Sequence, residues 1–300
     1  MSTIDQFRQA MAAANLESPD AIHDDGAIHR FSTDGRRSNA SGWYVLHGDG
    51  VPAGTFGCWR AGLQSTWCSK SDNAMTPAER DAHRQRVKDA QTQRDADEAA
   101  RQRDEADKAG SRWSAATPAG NHAYLVRKGI AAHGIRQDGD VLLVPLRDTA
   151  GKLHSLQTIT PDGEKRFKGR MKGCYHAIGK PSGRIVVCEG YATGASIHEA
   201  TGDAVAVAFN AGNLMPVATA LHKKYPGLAI ILAADDDHRT EGNPGLSCAK
   251  SAALAVGGFT VVPQFPAGRP AKATDFNDLA ALAGLDAVRA CFSEIVGFAC

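Results

Sequence analysis

The chain of 300 residues has almost no net charge and no closely spaced pair of cysteines. Its formal net charge is +1, so the overall charge neither requires nor excludes a nucleic-acid partner. Only the local distribution of charge can indicate such a partner. The seven cysteines are scattered without a CxxC pair, which favours free thiols in a reducing cytosol over a disulfide framework. We therefore expect a cytoplasmic protein.

Signals of three other protein classes are also missing. The first residues show no positively charged segment followed by an apolar one, so no secretory signal is expected. No run of about eighteen apolar residues occurs, which predicts no membrane span. No GxxxxGK[ST] loop occurs, so a helicase, if one is needed, must be a separate chain. The apolar fraction of 43% is enough for real cores, and the length predicts about two domains.

Two apolar runs in the C-terminal half lead into acidic residues. The β-branched run 185–188 leads into Glu189, and the run 228–234 leads into Asp235 and Asp237. Because open α/β sheets bind ligands at the carboxyl ends of parallel strands, we expect these carboxylates to cluster there. Such a cluster cannot stay ionised without cations, and its oxygens suit Mg²⁺. The simpler interpretation, that the acids only cap helices and turns, fits their positions at strand ends less well.

Strand and helix patterns alternate from residue 184 to residue 265. Short crossovers of this kind predict a parallel sheet with helices on both faces. A last helix is predicted over 279–296. Asp275 and Asp278 precede or begin it, and they either add outer metal ligands or cap the helix.

A basic segment precedes the first of these strands. Strands are predicted over 141–148 and 153–159, and five of the eleven residues of the following segment 162–172 are Lys or Arg. A cationic segment beside metal-binding carboxylates is what a site for phosphate-rich substrates needs. The alternative is a solvated hairpin, and the position of the segment favours the functional interpretation.

In the first seventy residues, the apolar pattern predicts a short helix within 1–20, and the aromatic runs that follow predict a small β-rich module. Basic residues interleave with the aromatic ones: His29, Arg30, Arg36, Arg37 and Arg60. This combination suits stacking on a single-stranded nucleic acid. We favour the simpler interpretation, in which the aromatic residues form a core and the arginines are solvated. The spacing of His47, Cys58, Cys68 and His83 matches no compact zinc pattern, so zinc is not expected.

A polar helix is predicted to follow. Residues 76–110 contain almost no large apolar side chain, and Thr76 with Pro77 forms a good helix start. Gly110 is predicted to end the helix. A helix that is polar all round favours a solvated spacer over a nucleic-acid contact.

The order of these motifs resembles the Toprim domain of primases, topoisomerases and related nucleases. Glu189-Gly190 after one strand and Asp235-x-Asp237 after another carry this resemblance. The run 143–148, with Gly151, Gln157 and Gly163-x-Lys165, looks like the subdomain before Toprim in bacterial replicative primases. Glu-Gly-Tyr-Ala-Thr at 189–193 and Asp-Phe-Asn-Asp-Leu at 275–279 are familiar from Toprim primases of plasmids, conjugative elements and phages. The resemblance covers about residues 117–280.

This resemblance implies an α/β fold with four parts. These are an N-terminal β-rich module over 1–75, a polar helical linker over 76–112, a small mixed α+β basic subdomain over 113–183, and a Toprim-like parallel sheet flanked by helices over 184–300. The first module occupies the place of a primase zinc ribbon, and the cysteine pairs of the ribbon are missing.

The implied function is that of a DNA primase. Such an enzyme makes short RNA primers on single-stranded DNA from ribonucleoside triphosphates, by nucleotidyl transfer that depends on Mg²⁺, with Mn²⁺ as an alternative. A Toprim nuclease or phosphodiesterase, and a non-catalytic module that binds single strands during replication, are the alternatives.

The resemblance also assigns residues. The catalytic metal ligands are Glu189, Asp235 and Asp237, with Asp275 and Asp278 as ligands of a second metal. The predicted nucleotide and template contacts are Arg147, Gln157, Lys165, Lys168, Arg170, Lys172, Gly190, Gly212 and Asn213.

Overall fold

The computed structural model describes residues 1–33, 40–70 and 75–293, so Arg36 and Arg37 lie outside the described residues. The chain divides into two compact units, Met1–Asp97 and Glu98–Cys300. Within the described residues, no helix combines the length and the apolar character needed to cross a membrane.

The first unit is an antiparallel sheet with one helix packed on it. Its elements are α1 (Thr3–Ala13), β1 (His29–Phe31), β2 (Gly42–His47), β3 (Ala53–Cys58) and β4 (Leu63–Cys68), and the strands pair in chain order. A capping box of Ser2 and Asp5 starts α1. Phe7 and Met11 of α1 are fully buried against one face of the sheet, where Phe56 also lies. The predicted helix and β-rich module are present, and β4 is a strand that the sequence patterns did not predict.

Helix α2 spans Pro77–Ala115 and is longer than predicted. Thr76 and Glu79 cap its start, because the backbone N–H of each donates to the side chain of the other, at 2.9 Å and 3.2 Å. The predicted end at Gly110 is wrong, since the helix continues for another turn. Ala109 is buried against the second unit's small sheet, and Trp113 packs there too. This packing offsets the helix penalty of one glycine, so the last turns are not a solvated spacer.

The second unit begins with a small antiparallel sheet. Its elements are β5 (Thr117–Pro118), α3 (Ala123–Lys128), β6 (Arg136–Asp138), β7 (Val141–Arg147), β8 (Leu153–Ile159) and β9 (Lys165–Phe167), with the strands again in chain order. Gly129 ends α3 in the left-handed conformation that favours glycine. Strands β7 and β8 confirm the two predicted strands of this region.

The larger sheet of the second unit is mainly parallel. Its elements are β10 (His176–Ile178), β11 (Arg184–Cys188), α4 (Tyr191–Thr201), β12 (Ala204–Val207), α5 (Ala211–Lys224), β13 (Ala229–Ala233), α6 (Pro244–Ala255), β14 (Phe259–Val261) and α7 (Phe276–Ser293). The strand order is β10-β12-β11-β13-β14. All neighbours are parallel except β10, an antiparallel edge strand that the sequence patterns did not predict.

Alternating residues of the central strands build a core on each face of this sheet. Val186 and Cys188 of β11 pack on the face that carries α4 and α7, and this core also includes Leu142 of β7. Ile185 and Val187 pack on the face that carries α5 and α6. A strand buried on both faces needs apolar residues at every buried position, which is why β13 and the residues of β11 after Arg184 form unbroken apolar runs.

Candidate active site

Two acidic residues lie side by side where β11 and β13 end. The parallel register pairs Val187 with Leu232, so the strand ends are level, with Glu189 following one strand and Asp235 following the other. Both residues line a cavity of about 170 Å³. The cavity is also lined by Lys128, Lys165, Gly190, Ala192, Thr193, Phe209 and Asp275. The predicted meeting of these two acids at one edge of the sheet is therefore observed.

One oxygen of each acid is buried without a partner. Within the described residues, neither Glu189 Oε1 nor Asp235 Oδ1 has a hydrogen bond. Burial, followed by the charge of Asp237, raises the pKa of Glu189 to about 7. Burial, followed by the charges of Glu189, Asp275 and Asp237, raises the pKa of Asp235 to about 8. Buried charges in native proteins are normally paired, so these two oxygens are candidates for a cation.

The other residues of the Asp-Asp-Asp segment point elsewhere. Asp237 accepts a hydrogen bond from the N–H of Gly245 at 3.3 Å, at the start of α6. It is still close enough to raise the pKa of both other acids, but it does not line the cavity. Asp236 pairs with Arg269 at 2.8 Å and accepts a hydrogen bond from Asn243 at 2.8 Å. Asp235 therefore lines the cavity, whereas Asp237 lies near the two acids without lining the cavity.

Asp275 and Asp278 cap α7, and Asp275 also lines the cavity. The N–H of Asp278 donates to Asp275 Oδ1 at 2.8 Å, and the N–H of Thr274 donates to Asp278 Oδ2 at 2.9 Å. The Thr193 hydroxyl donates to Asp275 Oδ2 at 3.1 Å. Capping, one of the two predicted roles, is therefore present for both residues. A second metal there stays a prediction.

The donor set fits a hard divalent cation. Among the described residues, no three His, Cys, Asp or Glu side chains close on one point as they stand. The two unpartnered atoms are nevertheless both carboxylate oxygens, which are the ligands that Mg²⁺ takes. A cation between Glu189 and Asp235 would relieve the crowding of charge that raises both pKa values.

Two lysines line the cavity beside the acids. Lys165 was predicted as a substrate contact, and burial followed by the charge of Lys128 lowers the pKa of its ammonium group, against the opposing effect of Asp275 and Asp235. Lys128, in the last turn of α3, was not predicted. Its Nζ lies 3.9 Å from Asp278 Oδ1, and Asn277 donates to its backbone carbonyl at 2.8 Å. No local motif marks Lys128, because it reaches the site only through the packing of α3 near α7.

The remaining predicted contacts lie outside this cavity, apart from Gly190, which begins α4 at its edge. Arg147 donates to the carbonyl of Gly151 at 2.9 Å, and its guanidinium lies 5.7 Å from the centre of the Trp113 ring. Gln157 is buried in β8. Lys168 lines a separate cavity between α2 and the strands β8 and β9. Arg170 and Lys172 are exposed beyond β9.

The buried side chain of Asn213 makes hydrogen bonds to three backbone groups near the edge of the sheet. Its Nδ2 donates to the carbonyls of Cys174 at 2.9 Å and Ala208 at 2.8 Å, and its Oδ1 accepts from the N–H of Gly173 at 2.8 Å. These bonds hold the loop before β10 against the start of α5, where Gly212 also lies. Neither Gly212 nor Asn213 lines the cavity of Glu189 and Asp235, and their nucleotide contact stays a prediction.

Residues 184–286 match the family model of the Toprim domain. The match confirms the resemblance that the motifs indicated, and the sheet order confirms the predicted α/β fold with helices on both faces. This segment is therefore similar to Toprim domains in sequence, and its sheet has the order expected from that similarity.

The chain is also similar over most of its length to proteins described as DNA primase TraC from Escherichia coli. One is 37% identical over an aligned length of 287 residues, and the alignment covers 89% of this chain and 27% of that protein. Another is 36% identical over 307 residues, with 94% of this chain and 21% of that protein covered. The chain thus spans about a quarter of the length of the curated relatives it matches.

Solved primase structures show weaker similarity. The primase fragment of the bacteriophage T7 primase-helicase protein is 18% identical with a TM-score of 0.40, covering 58% of this chain and 78% of that one. The DnaG primase catalytic domain bound to single-stranded DNA is 14% identical with a TM-score of 0.39, covering 57% of each chain.

Proposed function

We propose that the chain carries the catalytic part of a DNA primase, which makes short RNA primers on single-stranded DNA by Mg²⁺-dependent nucleotidyl transfer. The observation that carries the proposal is the pair of unpartnered oxygens, Glu189 Oε1 and Asp235 Oδ1, at adjacent strand ends of a Toprim domain. The similarity to DNA primase TraC supports the choice of reaction.

The chain's own residues divide the work of this reaction. Glu189 and Asp235 hold the divalent ion, with Asp237 as a further ligand on rearrangement. When bound, the ion lowers the pKa of an attacking 3′-hydroxyl and offsets the charge of the leaving pyrophosphate. Lys165 and Lys128, which line the same cavity, bind phosphate oxygens and offset their negative charge.

The wider assignments follow the same proposal. Asp275 and Asp278 serve a second metal when nucleotide is present, and Mn²⁺ can replace Mg²⁺ because it takes the same oxygen ligands. The exposed basic residues Lys168, Arg170 and Lys172 bind the template. The proposed partners are single-stranded DNA, ribonucleoside triphosphates and a separate helicase, in the reducing cytoplasm. The parts are an N-terminal module, a helical linker, a basic subdomain and the Toprim domain, over 1–75, 76–112, 113–183 and 184–300.

A primer-synthesis assay tests this function. Wild-type protein, single-stranded DNA and labelled ribonucleotides should give short RNA with Mg²⁺ and none with EDTA. Asp235→Asn should abolish synthesis while the protein stays folded. Asp286→Asn, on the exposed surface of α7, is the matched control and should keep wild-type activity. Near-normal synthesis by Asp235→Asn would overturn the assignment.

The same assay separates the other two functions. A Toprim nuclease would shorten the DNA with the same acids and make no oligoribonucleotide. A non-catalytic module would bind the strand with strong salt dependence and show no product and no response to Mg²⁺.

A further inference from the structure

Among the described residues of the first unit, the hydrophobic core lies on one face of the sheet, and the other face is the outer one. Residues that alternate along β2 and β3 point to opposite faces, and Tyr44, Leu46 and Phe56 point towards α1. The register places Arg30, Trp43, Gly57 and Gln64 in one row across the other face. The next row is Val45, Thr55 and Thr66.

Two tryptophans and an arginine form a stack on this outer face. Trp43 and Trp59 have ring centres 5.6 Å apart and planes inclined by 25°. The Arg30 guanidinium lies 4.5 Å from the centre of the Trp59 ring. Trp59 is 50% exposed, so a large part of its indole faces solvent. The expectation that the aromatic residues form the core therefore holds for Tyr44 and Phe56 and fails for Trp43 and Trp59.

The lack of a side chain at Gly57 makes room for this stack. A Cβ atom at Gly57 would lie 2.2 Å from the carbonyl oxygen of Leu63 and 3.0 Å from two atoms of the Trp43 indole, and all three distances are closer than nearly all real contacts. The Trp43 ring therefore lies directly over the Gly57 backbone. A glycine inside a strand weakens the strand, and it is typical of places where another group approaches closely.

A cavity of about 600 Å³ adjoins the stack along the same face. The row of Val45, Thr55 and Thr66 lies on one side, and the first turns of α2 lie on the other. Its polar lining includes the cationic residues Lys70 and Arg86 and the imidazoles His47 and His83. Among the described residues, no carboxylate lines it. Lys70 pairs with Glu79 at 2.6 Å and Arg86 pairs with Asp49 at 3.4 Å, and neither of these acids lines the cavity.

We propose that this outer face binds single-stranded DNA. The proposed site runs from the stack of Trp43, Trp59 and Arg30 into the cavity of about 600 Å³ beside the first turns of α2. Bases stack on Trp59 and the Arg30 guanidinium, and phosphates follow Arg30, Lys70 and Arg86. Stacking on a flat aromatic ring needs unpaired bases, so a duplex is a poor ligand. Because none of the described residues that line the cavity is a carboxylate, we expect binding to be independent of Mg²⁺. The choice of DNA over RNA rests on the proposed primase function, and the binding itself does not.

Binding of a fluorescein-labelled oligothymidine by the full chain in EDTA tests this inference. Trp59→Ala should weaken binding about tenfold, because stacking on one aromatic ring is worth about a factor of that size. Trp59→Phe should restore most of the affinity. Arg30→Gln should reduce the slope of log affinity against log salt by about 0.7, the value for one phosphate of a single strand. Arg8→Gln, on α1 at the opposite face, is the matched charge control and should change the slope little.

The basic segment of the second unit is removed as a competing site by repeating the titration in a Lys168→Gln, Arg170→Gln background. If adding Trp59→Ala to that background leaves the affinity for the oligothymidine unchanged, the proposal is overturned. So would equal competition by duplex DNA, or tighter binding of an RNA strand of the same length. Asp235→Asn should bind the oligomer like wild type and make no primer, so loss of binding and loss of synthesis are separate results.

Discussion

Replacing Asp235 by asparagine should stabilise the metal-free protein while it removes the proposed chemistry. Burial and three neighbouring carboxylates raise the pKa of Asp235 to about 8 from its usual 3.8. The native state therefore binds this proton more tightly than the unfolded state does. By linkage, the contribution of Asp235 to stability is lost as pH rises from about 4 to about 8. At pH 7 the loss is about 4 kcal/mol, taking about 1.36 kcal/mol for each pKa unit.

Urea unfolding at about pH 7 in EDTA measures this difference. Asp235→Asn should be more stable than wild type by about 4 kcal/mol, or by about 10 °C in the thermal midpoint for a unit of about 200 residues. Near pH 4 the difference should shrink below about 1 kcal/mol, since the native carboxyl is then already neutral. Mg²⁺ should stabilise wild type more than the variant. Asp286→Asn should match wild type throughout. A variant no more stable than wild type in EDTA at pH 7 would refute the crowding argument.

Three further substitutions test the surroundings of the site. Burial lowers the pKa of His176 to about 4 from its usual 6.5, so the contribution of this residue to stability should be about 2 kcal/mol smaller at pH 5 than at pH 7.5. The difference between wild type and His176→Gln in urea unfolding should change by that amount between the two pH values. Asn213→Ala should cost about 3 kcal/mol by leaving backbone groups unpaired, and an unchanged urea midpoint would show that water replaces the amide. Gly245→Ala places a Cβ 2.8 Å from the carbonyl oxygen of Asp235. The Mg²⁺ concentration that gives half-maximal primer synthesis should therefore rise about tenfold. Gly110→Ala, whose Cβ meets no atom within 4 Å, is the control and should leave this concentration unchanged.

Strands buried on both faces were the elements that the sequence predicted best. β13 and the part of β11 after Arg184 have apolar residues at every position, and such runs are recognised without knowledge of their neighbours. β4 and β10 were missed because each is short or half-polar and becomes a strand by pairing with a partner already in place. The end of α2 was misplaced because the packing of Ala109, a distant contact, outweighs the local preference of Gly110.

The amino-acid sequence by itself determined that Glu189 and Asp235 meet, because parallel strands of one sheet end at the same edge whatever surrounds them. The tertiary structure alone decided which groups face those acids. Lys128 reaches the cavity from α3, which lies far from Glu189 and Asp235 in the sequence. The side-chain amide of Asn213 donates a hydrogen bond to the carbonyl of Cys174, 39 residues away. The tertiary structure also decided that Trp43 and Trp59 lie outside the core, since the strand register sets the face on which each residue lies, and one residue of shift would reverse it.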